Sequence, residues 1–141
     1  MIQALKLFAE AVSSAPPRSS SSVRVRYLGV QWAPSALRAF SELGWEAASQ
    51  DRDSRLEFFS VPRESHDGIF LEELPAGFSG DLVQRFFAAC FQGLRPKGVL
   101  FIGFRDHAPV ALLTWLRQAG FQSLQQGESD GLNAIIAQRI G

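Results

Sequence analysis

Cysteine is almost missing from this chain: Cys90 is the only one in 141 residues. That excludes an internal disulfide framework and fits a reducing compartment, so the cytoplasm is the expected location. Beside it stand only two histidines, His66 and His107, too few for a Cys/His structural zinc site, and no metal is expected. Neither sign of charge is in excess. Lys and Arg number 14, as do Asp and Glu, so no global field favours nucleic acid or an anionic membrane. No run approaches the ~18 apolar residues that span a bilayer. Lys6 and Glu10 interrupt the N-terminal stretch MIQALKLFAEAV, which argues against a secretory signal. What remains, 46% hydrophobic and 20% charged residues, suits one globular domain.

Residues 2 to 12 read as a short amphipathic helix with Leu5, Phe8 and Val12 along one face. The segment SSAPPRSSSS (13–22) then breaks regular structure with two prolines and a serine tract. The chain thus divides into an N-terminal helix and linker, 1–22, and an α/β domain, 23–141. A helix tethered this way is free to dock elsewhere. Leu5, Phe8 and Val12 are the expected handle for a protein partner or for homodimerisation.

From Val23 onward strand and helix alternate. VRVRYLGV is β-branched and aromatic, a strand. PSALRAFSELG is a helix, with Pro34 and Ser35 near its start, Leu37, Phe40 and Leu43 on one face, and Gly44 closing it. WEAASQD is a weaker strand ending in Asp51, and DGIFLEEL is another. SGDLVQRFFAACFQGL is the clearest helix: Leu82, Val83, Phe86, Phe87, Cys90, Phe91 and Leu94 recur at helical spacing and Ser79 is placed to cap it. GVLFIGF has too little polarity to be exposed on either face, as in a central parallel strand. APVALLTWLRQAG is a helix between Pro109 and Gly120, and FQSLQQGESDGLNAIIAQRI holds two strands around a turn. Such alternation implies a mostly parallel, Rossmann-like sheet of about six strands, with helices on both faces and a C-terminal antiparallel hairpin.

Several of these segments carry a family resemblance. SHDGIFLEELP looks like a fourth strand entered through a Phe-Asp loop, here His66 and Asp67. LRPKGVLFIGF looks like an L-K/R-P-G-G-x-L turn into a fifth strand, with Lys97 replacing the first Gly. LRQAGF looks like an L-x-x-A-G-F junction, and AIIAQR like a final strand. In this order and spacing they resemble the class I S-adenosylmethionine-dependent methyltransferases over residues 23–141.

The resemblance implies a cofactor crevice at the carboxyl ends of the strands, at the topological switch point. The family places a Gly-rich turn there, because only Gly lets the backbone approach the cofactor closely. This chain has no such cluster. Two registers fit. In the first, favoured on sequence, GVQWAPSALRAFSELGWEAASQD supplies the second strand, a helix and the third strand. Gln31 then stands where the ribose-binding acid belongs, Asp51 matches the acid near the adenine, and the first strand is missing. In the second, VRVRYLGV is the first strand, GVQWAPS a glycine-poor turn, Asp51 the ribose acid, and the third strand is missing. Both put 23–30 beside 67–72, since a gap in the sheet would leave backbone groups unpaired.

The cofactor-contact candidates are therefore Gly29, Gln31, Trp32, Asp51 and Glu72, as vestigial or weak contacts. Trp32 fills space that a methionine moiety needs, and Pro34 removes a backbone donor. Each candidate also has a plain reading. Asp51 is a strand-end acid, while Glu72 and Glu73 cap a loop or face solvent. His66 and His107 have the chemistry of bases near neutral pH. Neither has a partner at motif spacing, so surface positions are expected. Cys90 reads as core, and Trp45 and Trp115 as packing. No catalytic residue is assigned. The expectation is a degenerate methyltransferase-fold protein, non-catalytic and favouring no cofactor, that works through protein contacts. The alternative implied by the resemblance is an active, minimal S-adenosylmethionine-dependent enzyme on a small molecule or protein, with Asp51 as its polar anchor.

Overall fold

The elements follow the periodicities that predict them, in a computed structural model that describes residues 3–14, 22–29, 31–50, 56–74, 79–104, 111–129 and 132–140. In chain order they are α1 (Gln3–Ser13), β1 (Arg24–Leu28), α2 (Ala33–Glu42), β2 (Glu46–Gln50), a 3-10 turn (Leu56–Phe58), β3 (His66–Leu71), α3 (Gly80–Gly93), β4 (Leu94–Phe104), α4 (Ala111–Ala119), β5 (Phe121–Ser129) and β6 (Leu132–Arg139). Among the described residues six strands form one sheet in the order β2-β1-β3-β4-β6-β5. From β2 to β4 all pairs are parallel, and β6 is antiparallel to both β4 and β5. The expected Rossmann-like sheet with a C-terminal hairpin is what forms. α1 and α2 bury their apolar sides on one face, α3 and α4 on the other.

Local chemistry sets the helix ends. Ser79 Oγ accepts from the Leu82 N–H at 3.3 Å and caps α3. α2 ends at Gly44, whose φ of +80° lets the Trp45 N–H reach the Phe40 carbonyl at 3.0 Å. The buried residues of α2 are Ala36 and Phe40. Leu43, expected on that face, is 48% exposed because it sits at the C-cap, past the last packed turn.

An aromatic ladder fixes the order of the central strands. Tyr27 lies opposite Phe70 in the β1–β3 register, and Phe70 opposite Phe101 in the β3–β4 register. Tyr27 stacks on Phe70 at 5.0 Å between ring centroids, and Phe70 on Phe101 at 4.3 Å. Each such pair contributes about 0.5–1.5 kcal/mol beyond its buried area. The ladder therefore holds β1 against β3, the pairing expected in either register. It also aims Tyr27 at the carboxyl end of the sheet.

The N-terminal helix is not a free handle. Leu5, Phe8 and Val12 are 1%, 0% and 4% exposed, inside the chain's own core. Phe8 meets Phe70 edge-on at 5.3 Å and Phe40 at 5.7 Å. Gly68 of β3 makes the room: a Cβ there would lie 2.5 Å from Phe8 Cζ and 2.9 Å from Val12 Cγ2. The stripe is taken because Phe70, Val99 and Phe101 present an apolar sheet face that α1 covers. The expected Pro/Ser linker does not prevent this packing, and its residues 15–21 lie outside the described residues. No helix among the described residues is long and apolar enough to cross a membrane.

Candidate functional site

At the carboxyl ends of β1 and β3, the ladder brings the Tyr27 hydroxyl to Glu72, to whose Oε2 it donates. Glu72 directly follows β3, and its own N–H bonds the Leu28 carbonyl at 2.9 Å. Its side chain lies over Gly29, where a Cβ would stand 2.6 Å from both Glu72 Cβ and Oε2. Gly29 also has a φ of +151°, so glycine is required twice over at this position.

The carboxylate then closes the turn between β1 and α2. Glu72 Oε1 accepts from the Gln31 N–H and Oε2 from the Trp32 N–H, each at 3.2 Å. Trp32 is the N-cap residue of α2 and offers no side-chain cap of its own. The Glu72 carboxylate supplies acceptors and negative charge at that helix N-terminus, both stabilising there. The residue is 1% exposed. Burial and the hydrogen bond to Glu72 push the Tyr27 phenol well above its ordinary range, so it stays a neutral donor. The Trp32 indole is half-buried against the core beneath α1 and α2, and Pro34 lies in the first turn of α2.

The structure thus gathers Gly29, Gln31 and Trp32 in one turn beneath the Glu72 side chain; Asp51 lies outside the described residues. Tyr27 is the member that sequence reasoning missed. Its one signal was the alternation in VRVRYLGV, which puts it on the same side as Val25 and two residues before Gly29.

His66 is not a surface residue as expected: it is 3% exposed. The chain entering β3 is drawn in by backbone bonds from Glu64 to the Gln92 carbonyl at 2.8 Å and from Ser65 to the Gly93 carbonyl at 2.9 Å. His66 Nδ1 then lies 2.7 Å from Ser65 Oγ. Burial first, and then Arg26, Arg24 and Arg95, push its pKa down to about 4, leaving it neutral at pH 7. His107 lies outside the described residues. Cys90 is fully buried in the core as expected, with its thiol pushed up by burial. Among the described residues no group of His, Cys, Asp and Glu could hold a metal ion.

No family model and no curated protein sequence matches the chain. Solved structures match its fold. The 1,6-didemethyltoxoflavin-N1-methyltransferase of Burkholderia thailandensis, solved with S-adenosylhomocysteine, is 14% identical with a TM-score of 0.69, covering 98% of this chain and 77% of that one. A S-adenosylmethionine-dependent methyltransferase from Archaeoglobus fulgidus is 13% identical with a TM-score of 0.67, covering 96% and 94%. The complex between the Haloferax volcanii Trm112 methyltransferase activator and a candidate methyltransferase gives a TM-score of 0.66 at 10% identity, covering 94% and 88%. The chain has the class I methyltransferase-like fold.

Proposed function

We propose that this chain is a degenerate methyltransferase-fold protein that catalyses no methyl transfer and works through contact with a protein partner. One observation carries the reading: the Glu72 carboxylate fills the space over Gly29 and takes the Gln31 and Trp32 N–H groups. A cofactor seated at that turn in the family's manner needs both the space and the donors, so the residues as placed do not fit it. Displacing the carboxylate also leaves the buried Tyr27 hydroxyl without its acceptor, at about 1–3 kcal/mol. The absent glycine cluster points the same way.

Support for a partner comes from the similar fold solved with the Trm112 activator. Among the described residues β2 pairs with β1 alone and is mostly exposed, which offers a sheet edge for a partner strand. The free thiol of Cys90 fits a cytoplasmic setting.

The test is isothermal titration of the purified chain with S-adenosylmethionine and S-adenosylhomocysteine. The expected result is no saturable heat from a protein that shows a cooperative thermal transition; micromolar affinity for either ligand overturns the reading. One observation favours the second reading, an active enzyme: a methyltransferase solved with S-adenosylhomocysteine matches nearly this whole chain in fold. On that reading Asp51→Ala abolishes cofactor binding in the same titration.

A further inference from the structure

A second charged cluster lies at the other end of the same strands. Alternation along β1 puts Arg24 and Arg26 on the side of Leu28, which faces the core beneath α3 and α4. Glu46 and Ala48 of the neighbouring β2 are exposed. With Pro62 and His66, these residues line a cleft of about 360 Å³. That is the size of a small-molecule site.

Its charges are unevenly matched. Arg24 is held by Glu46, with Nε and Nη2 each 3.0 Å from Oε2. Arg95 is held by Asp67 at 3.0 Å. Arg26 has no carboxylate among the described residues: Nη1 reaches the neutral Gln50 Oε1 at 3.4 Å, and Nε is buried with no partner. His66 brings no negative charge, and its Nδ1 is engaged by Ser65. A guanidinium partly withdrawn from water beside a single amide is under-satisfied, and its planar fork matches paired anionic oxygens.

We propose that this cleft binds a small molecule through a phosphoryl or sulfate group, with Arg26 pairing its charge and Arg24 and His66 on the walls. The cleft lies at the amino ends of the strands, away from the Gly29 turn, so it stands whether or not the chain is an enzyme.

The test is titration of the isotope-labelled chain with inorganic phosphate at constant ionic strength, followed by NMR at the Arg26 Nε–H and the His66 ring. Saturating shifts at both are expected, at least tenfold weaker in Arg26→Gln and unchanged in Arg38→Gln, which alters an exposed arginine on α2. A linear drift without saturation overturns the proposal, as does equal affinity in Arg26→Gln. If Arg26→Gln shows no cooperative thermal transition, Arg26→Lys decides: it keeps the charge but loses the fork, so several-fold weaker binding is expected, and unchanged affinity overturns the fork contact. Glucose 6-phosphate should compete with phosphate and glucose should not; binding of glucose alone overturns the anion assignment.

Discussion

Strand β1 meets a buried carboxylate at its carboxyl end and carries a part-buried guanidinium facing the cleft at its amino end, and the two are treated in opposite ways. At the carboxyl end, the Glu72 carboxylate receives the Tyr27 hydroxyl and the Gln31 and Trp32 N–H groups. On the amino-end side, Arg26 has, among the described residues, one long bond to a neutral amide and a buried Nε with none. A buried charge with its hydrogen bonds made holds structure together, and removing its partners is costly; one left half-made is a cost the fold carries. The first is the pattern of a closed structural joint, and the second of a site that a ligand completes.

The largest way to test the contrast is Gly29→Ala. The φ of +151° and the 2.6 Å approach to Glu72 together should cost about 3–4 kcal/mol, read as a fall of ~10 °C in thermal midpoint. Gly127→Ala, whose Cβ position meets nothing within 4 Å, should shift it little. Next comes acid. His66 titrates at about 4 when folded, below the ordinary histidine value of 6.5, so the unfolded chain takes up the proton first. Its contribution is full above pH ~6.5 and is lost as pH falls through the folded value, about 3 kcal/mol in all. Urea unfolding at pH 7.5, 5 and 4 measures this, and His66→Gln should flatten the dependence.

Glu72→Gln should cost about 2 kcal/mol, because the amide keeps the shape but turns N–H₂ toward donors that need an acceptor. Smallest is Arg26→Gln, expected within ~0.5 kcal/mol of wild type, or slightly stabilising, by denaturant unfolding. A loss of 2 kcal/mol or more there would erase the difference between the two ends.

Much of the fold was legible because its signals are local. α3 announced itself through Val83, Phe86, Phe87 and Cys90 at helical spacing and through Ser79, and β4 through an unbroken apolar run. The turn was half legible: Gly29, Gln31, Trp32 and Glu72 stood at positions the resemblance marks. That Glu72 closes it with Tyr27 depends on strands 45 residues apart in sequence meeting in register. Burial of His66 was illegible for the same reason, since the backbone bonds that tie Glu64 and Ser65 to the end of α3 bring it about. The docking of α1 was hidden by the intervening prolines and serines, because an amphipathic stripe states that it will be covered, not by what.

That docking has a consequence for how the molecule is made. α1 leaves the ribosome before the residues it packs on, since those, from Gly68 to Phe101, belong to β3 and β4. At ordinary elongation rates its stripe of Leu5, Phe8 and Val12 travels uncovered for on the order of ten seconds. A surface closed in the finished protein is thus open in the nascent one, where a chaperone or a stalled neighbouring chain meets it before the sheet does.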